Sequence, residues 1–184
     1  MVGLDEDEDV FAPIMQSSKR RSVWLGVNLV TAFIAVYFIG LFEATLQQKI
    51  ALAILMPVVA SMGGIAGTQT LIIVTRGIAT GRVTTANIKT LINKEVAVSG
   101  LNGIIWSIVI GLITYYWFAD LLLSLIIALA IITNLVVAAF SGAFLPLLLS
   151  KLKIDPALAG GVILTTITDV IGVVAFLGLA ALFI

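Results

Sequence analysis

Five long apolar stretches, separated by short polar connections, constrain what this chain can fold into. They cover residues 23–41, 50–74, 96–117, 121–149 and 157–184. Each is close to or above the roughly 20 residues that an α-helix needs to cross the hydrocarbon core of a bilayer. Only 11% of the 184 residues are charged, whereas soluble domains carry about a quarter. The sequence therefore predicts an all-α, multi-pass membrane protein with five transmembrane helices.

The basic residues indicate how these helices are oriented. All Lys and Arg residues except Lys49 lie before the first stretch, between the second and third, or between the fourth and fifth. Positive residues are enriched in the cytoplasmic connections of membrane proteins. We therefore expect a cytoplasmic N-terminus. Because five crossings put the two ends on opposite sides, we expect the C-terminus outside the cell.

The chain divides into a polar cytoplasmic tail at residues 1–20 and a five-helix domain at residues 21–184. The tail carries an acidic run at residues 5–9 and is either disordered or a short helix on the membrane surface. In the connection at residues 77–95, Ile88, Leu91 and Ile92 follow helical spacing. This spacing predicts an interfacial helix leading into the third stretch.

The absence of Cys and His limits the chemistry of the chain. Disulfides, thiolate metal sites and Cys nucleophiles are excluded. Any bound metal ion is expected to be a hard cation held by oxygen, such as Mg²⁺, Ca²⁺ or Mn²⁺. No nucleotide-binding loop of the GxxxxGK[ST] type occurs, so nothing points to an ATP-driven pump. We expect neither an enzyme nor a nucleic-acid partner.

Asp169 is the carboxylate that lies deepest in an apolar stretch. Asp155 and Pro156 are typical of an N-cap and a first helical residue, so Asp169 lies about 20 Å along the fifth helix. In a bilayer core about 30 Å thick this is mid-depth, where an ionised side chain costs several kcal/mol. We expect Asp169 to bind a cation. The alternative is a protonated carboxyl that hydrogen-bonds a neighbouring helix.

The residues around Asp169 suggest how a divalent cation would be held. Gly161, Thr165 and Gly172 share its helical face and form a small, polar stripe, which also suits close helix packing. One carboxylate does not balance two positive charges, so we expect a homodimer with the fifth helix at the two-fold axis. Mg²⁺ usually keeps several of its waters, which favours a pore that contacts its hydration shell.

The second stretch carries a further candidate region for the pore. Pro57 removes a helix hydrogen bond, and Gly63, Gly64 and Gly67 weaken the helix. Irregular backbone at membrane depth is tolerated where it is buried in protein or lines a wet cavity. We therefore expect exposed carbonyls here that line the pore. Close packing through the Gly63 and Gly67 pair is an equal alternative, and both can hold.

Three further polar residues are secondary candidates. Glu43 ends the first stretch; it is expected to be a solvated helix end, and otherwise to concentrate cations at the pore mouth. Glu95 opens the third stretch and is expected to face the cytoplasmic interface. Asn134 lies inside the fourth stretch and is either an interhelical hydrogen-bonding group or a pore residue.

These residues belong to a series of motifs that run in order along the chain. The series is Phe42-Glu43, Ala51-Leu52-Ala53 through Pro57, Gly63-Gly64 with Gly67 and Gln69, Thr75-Arg76-Gly77, Lys94-Glu95, Asn134 with Gly142 and Pro146, Asp155-Pro156-Ala157-Leu158, and Thr168-Asp169-Val170 with Gly172. Over residues 21–184 the chain resembles the transmembrane domain of the MgtE family of magnesium channels. The motifs are specific as a set, although none is specific alone.

The resemblance implies a homodimer of five-helix subunits with a pore at the dimer axis, lined mainly by the second and fifth helices. Asp169 corresponds to the central magnesium-binding acid of the family, which holds the ion through its water shell. Thr165 and Gly172 fall where the pore of the family contributes neighbouring contacts. Together with the residues considered above, the predicted pore lining is Gly63, Gly64, Gly67, Gly161, Thr165, Thr168 and Gly172.

The chain also departs from the family pattern. Ile65 stands where members commonly have Asn, and Gly161 where some have Asn. Many members carry large cytoplasmic magnesium-sensing domains before the first span, where this sequence has residues 1–20. Feedback closure through such domains is therefore not implied for this chain.

These observations together predict a channel that passes hydrated Mg²⁺ down its electrochemical gradient. The runner-up is a proton- or sodium-coupled cation exchanger that uses Asp169 as a shared proton and metal site. An intramembrane aspartyl protease needs two acids at depth and is disfavoured. A subunit that transports nothing by itself is the remaining alternative.

Overall fold

The computed structural model describes residues 13–84 and 86–184, and every regular element in these ranges is an α-helix. The helices are α1 (Ile14–Gly40), α2 (Glu43–Gln48), α3 (Ile50–Ala79), α4 (Ile88–Phe118), α5 (Leu121–Lys151) and α6 (Pro156–Phe183). All except the short α2 are long and apolar enough to span a membrane. The second and fifth spanning helices are therefore α3 and α6. The predicted all-α fold with five spanning helices is confirmed. The acidic run at residues 5–9 lies outside the described residues.

Two of the helices begin well before their apolar stretches. α1 begins at Ile14, so the described part of the predicted tail is mostly helical and continuous with the first span. α4 begins at Ile88, and the expected interfacial helix is the first part of this single continuous helix. Hydropathy marks only the lipid-facing part of a helix, whereas backbone hydrogen bonding continues into polar sequence.

α5 is the central helix of the subunit. It packs against α3, α4 and α6, and it is the most buried of the five spanning helices. α3, α5 and α6 together form the main apolar core, which includes Leu52, Val59, Ile127, Ile131, Phe176 and Leu177. α1 packs against α6, and its own surface is almost entirely exposed. α3 and α4 contact each other sparsely, although they follow one another in the chain.

Glycines mark the places where the central helices approach each other most closely. A Cβ atom on Gly142 of α5 would lie 2.5 Å from the carbonyl oxygen of Gly67 in α3. A Cβ atom on Gly67 would lie 3.0 Å from the side chain of Leu164 in α6. Small residues let helix backbones approach in membrane proteins, and here they fix α3 between α5 and α6.

α3 is continuous, and the expectation of irregular backbone near Pro57 is wrong. The helix runs unbroken from Ile50 to Ala79 with Pro57 inside it. A proline removes one backbone hydrogen bond, which the rest of a 30-residue helix tolerates when its neighbours hold it. Gly63 and Gly67 of α3 are packing positions against Asn134 of α5 and Leu164 of α6, whereas a Cβ atom on Gly64 would meet nothing within 4 Å.

At one end of the subunit, an ion pair links two of the connections between helices. Lys49, between α2 and α3, forms a salt bridge with Asp120, between α4 and α5. Asp120 also caps α5 by accepting a hydrogen bond of 2.9 Å from the backbone N–H of Leu123. The N–H of Leu123 and the ammonium of Lys49 both lower the pKa of Asp120. The only basic residue expected on the outer side is therefore paired.

Candidate cation site

An open groove runs between α3 and α6 on one surface of the subunit. Its volume is about 500 Å³. The lining residues are Ala60, Ser61, Gly64, Ile65, Thr68, Gln69, Ile72, Thr165 and Asp169. α3 supplies most of this lining, and α6 contributes Thr165 and Asp169. We call this surface the Asp169 groove.

Asp169 lies near the middle of α6, and its side chain is half-buried in the wall of the groove. Thr165 lies one helical turn before it, so both side chains point to the same face. Within residues 13–84 and 86–184 the carboxylate forms no hydrogen bond or ion pair. An ionisable group without a partner at this depth is unusual in a membrane helix and points to a function.

The hydroxyl groups of the groove are oriented by their own helices. Thr165 Oγ1 donates to the carbonyl oxygens of Gly161 and Val162 at 3.1 and 3.0 Å. Thr68 Oγ1 donates to the carbonyl oxygen of Gly64 at 2.7 Å. Because each hydroxyl proton is used within a helix, the oxygen lone pairs remain as acceptors. Such acceptors suit the water molecules around a hydrated cation.

Among the described residues, no group of three or more Asp and Glu side chains could hold a metal ion together. The Asp169 groove offers one carboxylate and several neutral oxygens instead. This donor set is too sparse to replace the six to eight oxygens that Ca²⁺ takes directly. It matches a cation that keeps its own water.

A family model described as a divalent cation transporter, MgtE, matches residues 56–179, more than half of the chain. The chain belongs to the MgtE family. The match covers most of α3 and α6 and includes every lining residue of the Asp169 groove. Together with five apolar spanning helices, this makes the protein a multi-pass protein of the cell membrane.

Three MgtE relatives, each named a magnesium transporter, are similar to most of this chain. The relative from Bacillus subtilis is 35% identical over 165 residues, which are 90% of this chain and 37% of the relative. The relative from Enterococcus faecalis is 28% identical over all of this chain and 40% of its own length. The relative from Thermus thermophilus is 30% identical over 88% of this chain and 36% of its own length. The chain thus spans well under half the length of these relatives.

Not all residues predicted to line an MgtE pore lie in the groove. Gly64 and Thr165 lie there with Asp169. The others are buried against neighbouring helices within the subunit: Gly63, Gly67, Gly161, Thr168 and Gly172. α6 packs against α3 and α5 at once, and this leaves only a narrow strip of its surface for the groove. A pore lining by these five residues stays a prediction.

Ile65 lies in the groove at the position where the MgtE pattern commonly has Asn. Its side chain is 57% exposed and lines the groove beside Gly64. The departure from the family pattern therefore falls on the surface that also holds Asp169. Unlike the amide of Asn, this apolar side chain offers no hydrogen-bonding group to the groove.

The secondary candidates lie away from the groove. Glu43 is exposed in the first turn of α2 and accepts a hydrogen bond from Gln47 Nε2 at 3.1 Å. Asn134 is fully buried, and its Nδ2 donates to the carbonyl oxygen of Val59 at 2.9 Å. Of the two roles considered for Asn134, the structure places it as an interhelical hydrogen-bonding group.

Glu95 is buried, and the expectation that it faces the interface is corrected. Its exposure is 6%, and its carboxylate accepts a hydrogen bond from Thr70 Oγ1 at 3.4 Å. The ammonium of Lys94 lies 3.8 Å from the other carboxylate oxygen. Glu95 is on the buried face of α4 with Ser99, one turn further along. The local sequence predicted that Glu95 lies at the start of an apolar stretch, but it did not predict which side of α4 its side chain faces.

Three polar residues of the groove were not among the predicted site residues: Ser61, Thr68 and Gln69. The spacing of Ser61, Gly64 and Thr68 places them on one helical face, and this was the available signal. Gln69 was noted only as part of a family motif. Their polarity was not decisive because polar residues of α3 also occur on its buried side, as Thr70 does.

Proposed function

We propose that the protein is a magnesium channel that passes hydrated Mg²⁺ through a pore on the two-fold axis of a homodimer. In this proposal α3 and α6 line the pore, Asp169 is the central ion-binding carboxylate, and the N-terminus is cytoplasmic. The observation that carries it is the carboxylate of Asp169, which lies near the middle of α6 in an open groove and has no partner among the described residues. The names of the three relatives support Mg²⁺ as the ion.

The homodimer follows from the shape and charge of the groove. One subunit leaves the Asp169 groove open on one side. A second copy related by a two-fold axis would close it with an identical surface. Two Asp169 carboxylates would then face one divalent ion and balance its charge. The free energy cost of holding each carboxylate at depth falls when a cation lies between them.

Passage of the hydrated ion follows from the groups that line the groove. Mg²⁺ dehydrates reluctantly and demands near-ideal octahedral geometry when it does. Hydroxyl and amide oxygens at the positions of Ser61, Thr68 and Gln69 suit its water shell better than the bare ion. An inward-negative membrane potential drives a doubly charged ion by about 4.6 kcal/mol per 100 mV.

The test is Mg²⁺ entry into liposomes that contain the purified protein and a magnesium-sensitive dye. Asp169→Asn keeps the size of the side chain and removes its charge, and we expect entry to slow by about tenfold or more, which corresponds to at least ~1.4 kcal/mol. Glu43→Gln is the matched control because it removes an exposed carboxylate outside the groove. Entry through Asp169→Asn at the parent rate would overturn the proposal.

The same liposomes separate a channel from the coupled exchanger. A channel admits Mg²⁺ when the proton and sodium gradients are both zero, and its rate follows the membrane potential. If entry requires an imposed proton or sodium gradient, the channel part of the proposal fails and the exchanger takes its place. Asp169→Asn would then abolish the coupling as well as the flux.

A further inference from the structure

A second pocket, of about 680 Å³, lies where the end of α3 meets the beginning of α4. Its lining residues are Ile73, Arg76, Gly77, Thr80, Arg82, Val83, Asn87, Thr90, Leu91 and Lys94. Three of these are cationic and none is a carboxylate. We call it the basic pocket. It is formed by the connection that the charge pattern places on the cytoplasmic side.

Hydrogen bonds hold the connection in a defined shape. The backbone N–H groups of Arg82 and Val83 both donate to the carbonyl oxygen of Gly77, at 2.9 and 3.0 Å. Asn87 Nδ2 donates to the carbonyl oxygen of Arg82 at 2.8 Å. A Cβ atom on Gly77 would lie 2.5 Å from a methyl group of Val83, so any larger residue at position 77 would displace that side chain. The fold of the connection therefore places Arg82 and Arg76 in one pocket.

The charges of the basic pocket are not balanced within the subunit. Within residues 13–84 and 86–184, neither Arg76 nor Arg82 forms a salt bridge. Lys94 is partly balanced by Glu95, 3.8 Å away. Like charges held in one pocket repel each other, and an anion that enters between them relieves the repulsion. Guanidinium groups bind phosphate with particular geometric fit.

A crevice lined by both apolar and polar side chains continues from the basic pocket between α3 and α4. Ile73 lines both the basic pocket and a neighbouring cavity of about 450 Å³ between α3 and α4. The apolar residues of this cavity are Met62, Ile65, Ala66, Ile73, Val98, Trp106 and Leu135. The polar ones are Gln69, Thr70, Glu95, Ser99 and Asn102, and the carboxylate of Glu95 is buried against Thr70. Ile73, Val98 and Trp106 are about half exposed and form the accessible apolar side of the cavity. The cavity exists because α3 and α4 contact each other sparsely. We call it the α3–α4 crevice.

We propose that the basic pocket and the α3–α4 crevice together bind one acidic phospholipid. Its phosphate lies between Arg76 and Arg82, and an acyl chain follows the crevice past Ile73. The hydroxyl of Ser99 lines the crevice one helical turn after Glu95 and offers a hydrogen-bond donor to the ester groups of the lipid. A basic cluster next to the exposed apolar side chains of Ile73, Val98 and Trp106 matches a charged headgroup joined to a hydrocarbon chain. Basic pockets between spanning helices bind such lipids.

Native mass spectrometry of the purified protein with phosphatidylglycerol and phosphatidylcholine tests this binding. We expect the parent to retain phosphatidylglycerol more tightly than phosphatidylcholine. The double variant Arg76→Gln, Arg82→Gln should weaken binding of phosphatidylglycerol by about thirtyfold, because each basic residue contributes roughly fivefold at a membrane surface. The matched control, Lys151→Gln with Lys153→Gln, removes two charges at the same end of the subunit outside the pocket and should change little.

Two further variants separate binding from folding. Arg76→Lys with Arg82→Lys keeps both charges and should retain most of the preference for phosphatidylglycerol. Val98→Trp fills the α3–α4 crevice without touching the basic residues and should also weaken binding. Far-ultraviolet circular dichroism reports whether each variant is folded. If the Gln variant does not fold, the Lys variant and Val98→Trp carry the test.

Three results would overturn the proposal. The first is equal binding of phosphatidylglycerol and phosphatidylcholine by the parent. The second is a loss of phosphatidylglycerol binding in the control Lys151→Gln, Lys153→Gln that equals the loss in Arg76→Gln, Arg82→Gln. The third is displacement of the lipid by glycerol phosphate at concentrations similar to those of phosphatidylglycerol itself, which would show an anion site without a lipid track. All three readouts are independent of ion transport, so the outcome does not depend on the proposed channel.

Discussion

The side-chain amide of Asn134 in α5 donates a hydrogen bond of 2.9 Å to the backbone carbonyl oxygen of Val59 in α3. The amide is fully buried between two glycines, Gly63 of α3 and Gly172 of α6. A Cβ atom on Gly172 would lie 2.7 Å from Asn134 Nδ2, and one on Gly63 would overlap the same amide. The three central helices therefore meet around a single polar side chain.

This junction predicts strong coupling between Gly63 and Asn134. Gly63→Ala alone should lower the free energy of unfolding by about 1–3 kcal/mol, since the added methyl group overpacks the site. In the Asn134→Ala background the same change should cost little or become stabilising, because Ala favours helix by about 1 kcal/mol over Gly. Reversible unfolding in mixed micelles, measured for the four proteins of the cycle, gives the coupling energy.

Gly100→Ala is the control for this cycle, since a Cβ atom there meets nothing within 4 Å. It should leave stability unchanged or raise it in both backgrounds. A coupling energy between Gly63 and Asn134 below about 0.5 kcal/mol would contradict the packing described here.

Gly142 should tolerate substitution less well than Gly160. A Cβ atom on Gly142 would press on the backbone of α3 at Gly67, which cannot rotate away. A Cβ atom on Gly160 would meet only side-chain methyl groups, of Leu71 at 3.1 Å and of Leu149 at 3.7 Å, which can shift. We expect Gly142→Ala to cost about 3 kcal/mol or more and Gly160→Ala less than about 1.5 kcal/mol. Thermal unfolding in detergent compares the two variants, and equal losses would contradict this assignment.

Asp120 should make the stability of the protein depend on pH in acid. The N–H of Leu123 and the ammonium of Lys49 lower its pKa below the ordinary value of 3.8. The charged form therefore stabilises the fold above pH 3.8, and this contribution is lost as the pH falls through the lowered pKa of the folded state. At pH 7 we expect the melting temperature of the parent to be higher than that of Asp120→Asn. This difference in melting temperature should shrink below pH 3.8.

Asparagine is a suitable replacement at position 120 because it also caps helices, so the comparison isolates the charge. Lys49→Gln should reproduce part of the pH 7 loss. A difference in melting temperature between parent and Asp120→Asn that stays constant from pH 7 to pH 3 would exclude this role for the carboxylate.

Cross-linking tests whether the Asp169 groove faces a second subunit. The chain has no Cys, so each introduced Cys is the only thiol. Ile65→Cys places a thiol in the groove, and Ile108→Cys places one on α4 at nearly equal exposure, 57% against 58% for the parent side chains. With a short bifunctional thiol reagent in native membranes, we expect covalent dimers from Ile65→Cys and none from Ile108→Cys. The reverse pattern would place the dimer interface on α4.

The number of spanning helices could be predicted from sequence because hydropathy is a local property, although α1 and α4 begin before their apolar stretches. A residue in hydrocarbon must be apolar whatever its neighbours are, and the backbone there must form its hydrogen bonds within the helix. Asp169 stood out for the same reason, since its depth follows from its distance to Pro156 alone. The Lys49 and Asp120 pair was not predicted, because the two residues lie 71 positions apart in the chain.

The direction of each side chain around the helices was decided only by tertiary packing. Gly63 and Gly64 are neighbours in sequence, yet Gly63 packs against Asn134 and Gly64 lines the groove. Glu95 was assigned to the interface and is buried, because its side chain turns toward α3 and accepts a hydrogen bond from Thr70. Lipid and the protein interior are both apolar, so an apolar sequence does not distinguish a lipid-facing side from a packed one. The sequence alone therefore determined how many helices cross the membrane and that one carboxylate lies between its surfaces. Only the packing of α3, α5 and α6 decided which residues of α3 lie beside that carboxylate in the Asp169 groove.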